Sequence, residues 1–134
     1  MILDLVNPTQ AGGTYFRIKH VQTGKQLETN PNGDTYLAVS SSLLYQIWKW
    51  DGKYLTNAKT YFCLQSDGNG NKISAKAKTF MNNNQRWAIV NSNNSTQFQN
   101  LATSKFLDID SQNLTSSSLD QLKNPDWNFI AGIF

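Results

Sequence analysis

A second cysteine is missing from this chain of 134 residues, so Cys63 has no intrachain partner and a disulfide framework is excluded. Histidine is as scarce: His20 stands alone, which removes most arrangements in which an imidazole activates a serine or cysteine nucleophile, and no Gly-x-Ser-x-Gly elbow occurs. No apolar run is long enough to span a membrane, and the segment from Met1 to Pro8 has neither the basic start nor the apolar stretch of a secretory signal. The expectation is a protein that stays cytoplasmic or is released without a signal peptide, with no membrane insertion. Charged residues make up only 16% of the chain, and the net charge of +3 is scattered apart from Lys72, Lys76 and Lys78. Nucleic acid, which requires a concentrated basic stripe, is therefore not an expected partner.

What the chain does contain is apolar and aromatic material: 39% hydrophobic residues, with four Trp, seven Phe and five Tyr. This is a globular composition in which Asn, Ser, Thr and Gln replace much of the usual charge, and such a surface suits neutral polar ligands. The length fits one domain, residues 1–134. Apolar residues do not recur with helical spacing over any long stretch, whereas short alternating segments are separated by Gly, Asn, Asp and Ser clusters, so the fold class is all-β.

An internal repeat organises these strands. His20-Val-Gln-Thr-Gly-Lys-Gln-Leu27, Asn57-Ala-Lys-Thr-Tyr-Phe-Cys-Leu64 and Asn100-Leu-Ala-Thr-Ser-Lys-Phe-Leu107 align without gaps, each with Thr four residues before its Leu. Ile18, Leu55 and Phe98 precede them in the alternation of a half-buried strand. Each unit ends on an in-phase indole, and Trp48, Trp87 and Trp127 are 39 and 40 residues apart. A further strand lies between each Leu and Trp, with inward candidates Leu37 and Val39, Ile73 and Ala75, and Leu114 and Ser116. That makes about twelve strands in repeats near 14–50, 51–91 and 92–134. Units of this size cannot bury their apolar faces alone, so the three must share one core closed about a threefold axis. The three Trp, with Ile18, Leu27, Leu55, Leu64, Phe98 and Leu107, are its expected members.

Gln46-Ile-Trp48 and Gln85-Arg-Trp87, each preceded by a strand ending in a Leu and then an acidic or amide residue, resemble the Gln-x-Trp units of ricin B-chain-like β-trefoil lectins over roughly residues 14–130. The resemblance implies a β-trefoil with three pseudo-threefold repeats and a non-catalytic carbohydrate-binding function, for galactose or N-acetylgalactosamine type glycans. It assigns the three Trp to the core. It implies polar ligand contacts at the position after each Leu and just before each Gln-x-Trp: Asp108 with Asn124, Gln65 with Asn84 and nearby Asp67, and Glu28, for which Tyr45 replaces the Asn. Asp110 shares a strand face with Asp108, Phe80 is the candidate stacking ring of the second unit, and Tyr36 is a displaced aromatic in the first. Three departures stand out: Cys63 has lost its partner, Pro125 replaces the third Gln, and Ser40, Lys76 and Ser117 stand where a stacking aromatic is usual.

No cofactor and no metal are expected. Asp67-Gly-Asn-Gly-Asn71 mimics the start of a calcium loop, but Lys72 and Lys78 occupy positions that need Gly and Glu, so it reads as a turn. Glycans are the expected partners, with a homodimer left open. The alternative from the same fold is a protease inhibitor or protein-docking module, including a receptor-binding component of a toxin assembly.

Overall fold

Alternation along Phe16-Arg-Ile-Lys-His20 buries Phe16, Ile18 and His20 on one side of a strand and leaves Arg17 and Lys19 on the other. The same pattern recurs in the computed structural model, which describes residues 4–5, 15–67, 71–92, 95–111 and 113–131. The strands are β1 (Asp4–Leu5), β2 (Tyr15–His20), β3 (Gln26–Thr29), β4 (Thr35–Ala38), β5 (Trp48–Asp51), β6 (Tyr54–Asn57), β7 (Cys63–Ser66), β8 (Ile73–Lys76), β9 (Trp87–Ser92), β10 (Ser95–Asn100), β11 (Phe106–Asp110), β12 (Asn113–Ser117) and β13 (Trp127–Ala131). Short 3-10 turns at Leu44–Gln46, Asn83–Gln85 and Leu119–Gln121 follow the third strand of each unit.

The first and last strands of each unit form a closed antiparallel ring. β2 pairs with β5 and β13, β5 with β6, β9 with β10, and β10 with β13. The Trp87 N–H donates to the Lys53 carbonyl at 2.9 Å and links the two ends of the second unit. The hairpins β3–β4, β7–β8 and β11–β12 gather at one end, joined by the bridges Asp34↔Ser74 and Lys72↔Thr115. A six-stranded ring capped by three hairpins is a β-trefoil. β1 is an addition to the twelve expected strands: Asp4 and Leu5 pair with Ala131 and Ile130 of β13.

All nine expected core residues are fully buried, in one cluster with Phe16, Ile73, Ile109 and Phe129. Each indole N–H donates back to the Leu strand of its own unit: Trp48 to the Leu27 carbonyl at 3.0 Å, Trp87 to Leu64 at 3.0 Å, and Trp127 to Leu107 at 3.3 Å. A buried indole thereby satisfies its one donor while filling the centre. Val39 is a correction: it is 76% exposed, because β4 ends at Ala38 and the alternation with inward Leu37 stops there.

The hairpin cap also explains Gly33. Its φ is +83°, and an added Cβ would run into the Ala75 carbonyl, while the Gly33 carbonyl accepts the Ala75 N–H at 2.8 Å. Gly33→Ala should cost more than about 1 kcal/mol, read as a lower urea midpoint at unchanged slope. An unchanged midpoint would mean that the hairpins are not packed this tightly.

Candidate functional site

The three units are stitched to one another by a repeated latch. Asn57 donates through Nδ2 to the Tyr45 carbonyl at 2.9 Å, and Asn100 to the Asn84 carbonyl at 2.8 Å. His20 does the same to the Asn124 carbonyl through Nε2 at 2.8 Å, so that nitrogen carries the hydrogen and Nδ1 faces the Thr23 hydroxyl at 2.9 Å. The lone histidine is thus a buried structural residue spanning the first and third units. The following turns reach the left-handed region at Gly24, Tyr61 and Ser104, and Thr23, Thr60 and Thr103 each accept the N–H two residues on.

A second latch fixes the loop after the third strand. Gln46 donates through Nε2 to the Val39 carbonyl at 2.8 Å and to Glu28 at 2.9 Å, and its oxygen accepts from the Ser41 N–H. Gln85 repeats this with the Ala77 carbonyl, Gln65 and the Thr79 N–H. Pro125 has no such side chain, and in the third unit Asp108 takes over. Its carboxylate accepts the backbone N–H of Asn124 at 2.7 Å, of Lys123 at 2.9 Å and of its own neighbour Ile109 at 2.8 Å.

Asp108 is fully buried, so the expectation that it presents its carboxylate to a ligand is corrected: its oxygens are occupied by the backbone that they hold. The Asn124 backbone is held in the same way, its N–H by Asp108 and its carbonyl by His20, while its half-buried side chain makes a long bond, Nδ2 to the Ile109 carbonyl at 3.4 Å. Asn84 donates to the Ser66 carbonyl at 2.8 Å and braces the loop rather than reaching outward. Glu28 is half-buried, bonded to Gln46 and to the hydroxyl of Tyr36, which lies opposite it across β3–β4. Burial and this carboxylate push the Tyr36 phenol up to about 12, so Tyr36 remains a neutral donor. Gln65 bonds Gln85 and Asp67, and Asp67 also accepts from Ser74. Asp110, exposed at the end of β11, is open to solvent.

Two surface grooves occupy equivalent places in the repeat. One, of about 590 Å³, runs along the outer face of the second unit's hairpin and is lined by Asn32, Phe62, Gln65, Lys76, Thr79 and Asn82 among others. The other, of about 550 Å³, lies on the third unit and includes Asn71, Lys105, Asp110, Thr115, Gln121 and Lys123. Each is built by two units, because Asn32 comes from the first unit's hairpin and Asn71 from the second's. Lys76 and Ser117, which pair with Cys63 and Phe106, occupy matching walls of the two grooves. Phe62 and Lys105 also match, each two residues before its Leu; the aligned segments display both, but not that this position forms a groove wall. Of the expected site residues, then, Gln65 and Asp110 line these two grooves, Asp108 and Asn84 serve the frame, and Asn124, whose backbone is part of the frame, lines a smaller pocket of about 70 Å³ with His20, Val21 and Asp126. Phe80 is 89% exposed and outside the second unit's groove, so it is not that groove's stacking ring.

Cys63 is a free, buried thiol in contact with the Thr56 hydroxyl at 3.7 Å; burial pushes its pKa up, which disfavours the nucleophilic thiolate. Among the described residues no group of three or more His, Cys, Asp and Glu side chains is placed to hold a metal ion. Residues 68–70 of the calcium-like turn lie outside the described residues.

No family model matches the chain, and no curated protein does. Solved structures do. The designed threefold symmetric protein ThreeFoil superposes with a TM-score of 0.78 at 17% identity, over 88% of this chain and 99% of that one. SeviL, solved bound to asialo-GM1 saccharide, gives 0.73 at 15% identity, covering 90% and 99%. A mosquitocidal holotoxin gives 0.78 at 21% identity over 91% of this chain but only 18% of its own. At such identities the likeness is one of fold, and it establishes a β-trefoil.

Proposed function

We propose that the protein is a non-catalytic carbohydrate-binding module that takes galactose or N-acetylgalactosamine type glycans, with the second unit's groove as the principal site. The observation that carries this reading is the recurrence of a surface groove at the same place in two units, each within the usual size range of small-ligand sites. In the second unit the amides of Gln65 and Asn82 and the hydroxyl of Thr79 offer donors and acceptors for sugar hydroxyls, and the half-buried ring of Phe62 offers an apolar wall. Asp67, bonded to Gln65, orients that amide from behind. The resemblance to Gln-x-Trp lectins supplies the sugar class, and SeviL, of the same fold, carries a saccharide in its structure. A glycan array followed by calorimetry tests the reading. Phe62→Ala should weaken binding of the array's best neutral ligand by about tenfold while circular dichroism stays unchanged. Absence of any specific glycan on the array would overturn it.

A second reading, a protein-docking or protease-inhibitor module, is favoured by the loops after the third strands, which expose Val39, Phe80, Met81 and Leu119. Exposed apolar loop residues are the usual anchors of protein contacts. Retention of binding partners by Phe80→Ala together with glycan binding in the array would leave the carbohydrate reading standing alone.

A further inference from the structure

The two matching grooves differ in charge at the same wall. In the second unit the residue two before the Leu is Phe62; in the third it is Lys105, half-buried, with its ammonium held 3.1 Å from the Asn71 side-chain oxygen. That partner is neutral, so it positions the charge without cancelling it. Lys123 stands in the same groove, 4.0 Å from Asp110, and both side chains are more than half exposed, so this pair is weakly held and open to exchange. Asp110 is thus offset by Lys123, and Asp120, flanking the groove with its carboxylate on the Ser118 hydroxyl at 2.8 Å, is outweighed by Lys105 and Lys72 together. Lys72, exposed and bridged to Thr115, adds a further positive charge at the groove's edge. Thr115, Ser117 and Gln121 supply hydroxyl and amide groups alongside.

We propose that the third unit's groove selects an acidic saccharide, with the sugar's carboxylate or sulfate seated against Lys105 and the ring hydroxyls against Thr115, Ser117 and Gln121. The proposal rests on the carbohydrate-binding reading and adds the ligand's charge and the residue that reads it. A hydrogen bond to a charged group contributes enough to separate an acidic sugar from its neutral parent by about tenfold or more. Salt should erode that preference, since the ammonium is only partly shielded from solvent.

The test is calorimetry on the intact chain with matched pairs: a sialylated oligosaccharide and its desialylated parent, and a sulfated oligosaccharide and its unsulfated parent, each at low and high salt. The pair that shows the preference tells carboxylate from sulfate. Wild type should favour at least one acidic member by about tenfold, Lys105→Gln should abolish the preference, and Lys25→Gln, at the matching position of the first unit, should leave it intact. Equal binding of acidic and neutral partners, or a preference that survives Lys105→Gln, overturns the proposal while leaving carbohydrate binding standing. Loss of the preference in Lys25→Gln but not in Lys105→Gln moves the acidic site to the first unit and also overturns it. If none of the four sugars binds and the array is blank, the carbohydrate reading itself falls, and this proposal with it.

Discussion

Trp127→Ala should leave a domain barely able to hold its native state at room temperature. The indole is fully buried, packed 4.8 Å from the His20 ring and 6.5 Å from the Phe98 ring, with its N–H on the Leu107 carbonyl. Large-to-small truncation of a buried Trp costs about 3–5 kcal/mol, through lost transfer energy and the cavity left behind. Against a total stability of about 5–15 kcal/mol, that is a large share. The effect should lie at the upper end of that range because the cavity cannot easily collapse: Trp48 and Trp87 belong to the same cluster, and the backbone of Trp127 is paired on both sides, with His20 and with Thr96. Trp127→Phe separates the contributions. It keeps most of the volume but leaves the Leu107 carbonyl without its donor, so its cost should be about 1–2 kcal/mol. Urea titrations of the two variants should therefore differ widely in midpoint. If Trp127→Ala unfolds at the wild-type urea concentration, the indoles are not the centre of this core.

The core was legible in the sequence because burial there follows one rule three times over. Leu27, Leu64 and Leu107 stand in register with the indoles that bond their carbonyls, and a repeat of about forty residues makes such a register visible without any structure. The loop-bracing residues were less legible, since an acidic residue after the Leu has the same identity whether it faces solvent or the backbone. What separates Glu28 from Asp108 is Pro125. With Gln46 present, the loop is held by an amide and the carboxylate of Glu28 stays at the half-buried surface. Without the third Gln, the 3-10 turn sits earlier, at Leu119–Gln121, and the chain from Lys123 to Asn124 folds over Asp108 instead. The grooves were illegible for another reason. Asn32 with Gln65, and Asn71 with Thr115, come from different units, so aligning the units stacks these residues in columns and hides the contact between them.

Asp108→Ala should fail as a folding variant rather than as a binding variant. The carboxylate is the acceptor for three backbone N–H groups, those of Ile109, Lys123 and Asn124, at 2.7–2.9 Å, and it tethers a segment separated from it by fifteen residues and more. Alanine removes a charged acceptor and leaves these donors to find water or none. At about 1–3 kcal/mol for an unsatisfied buried donor, discounted for water reaching the partly buried loop, the expected loss is about 3 kcal/mol. That corresponds to a fall in Tm of roughly 10 °C for a domain of this size. The loop that Asp108 anchors also carries Asn124, whose carbonyl receives His20, so loosening it weakens the seam between the third and first units. Asp108→Asn provides the graded control: its oxygen still accepts from Asn124 and Ile109, but its NH₂ group then faces the Lys123 N–H, donor against donor. The order of melting temperatures should be wild type, then Asn, then Ala. The second unit's groove lies on other residues, so whatever fraction of Asp108→Ala remains folded at low temperature should keep wild-type affinity for a glycan bound at Phe62 and Gln65. A melting temperature unchanged by Asp108→Ala, combined with lost glycan affinity, would restore Asp108 to the binding surface and refute its role as a brace.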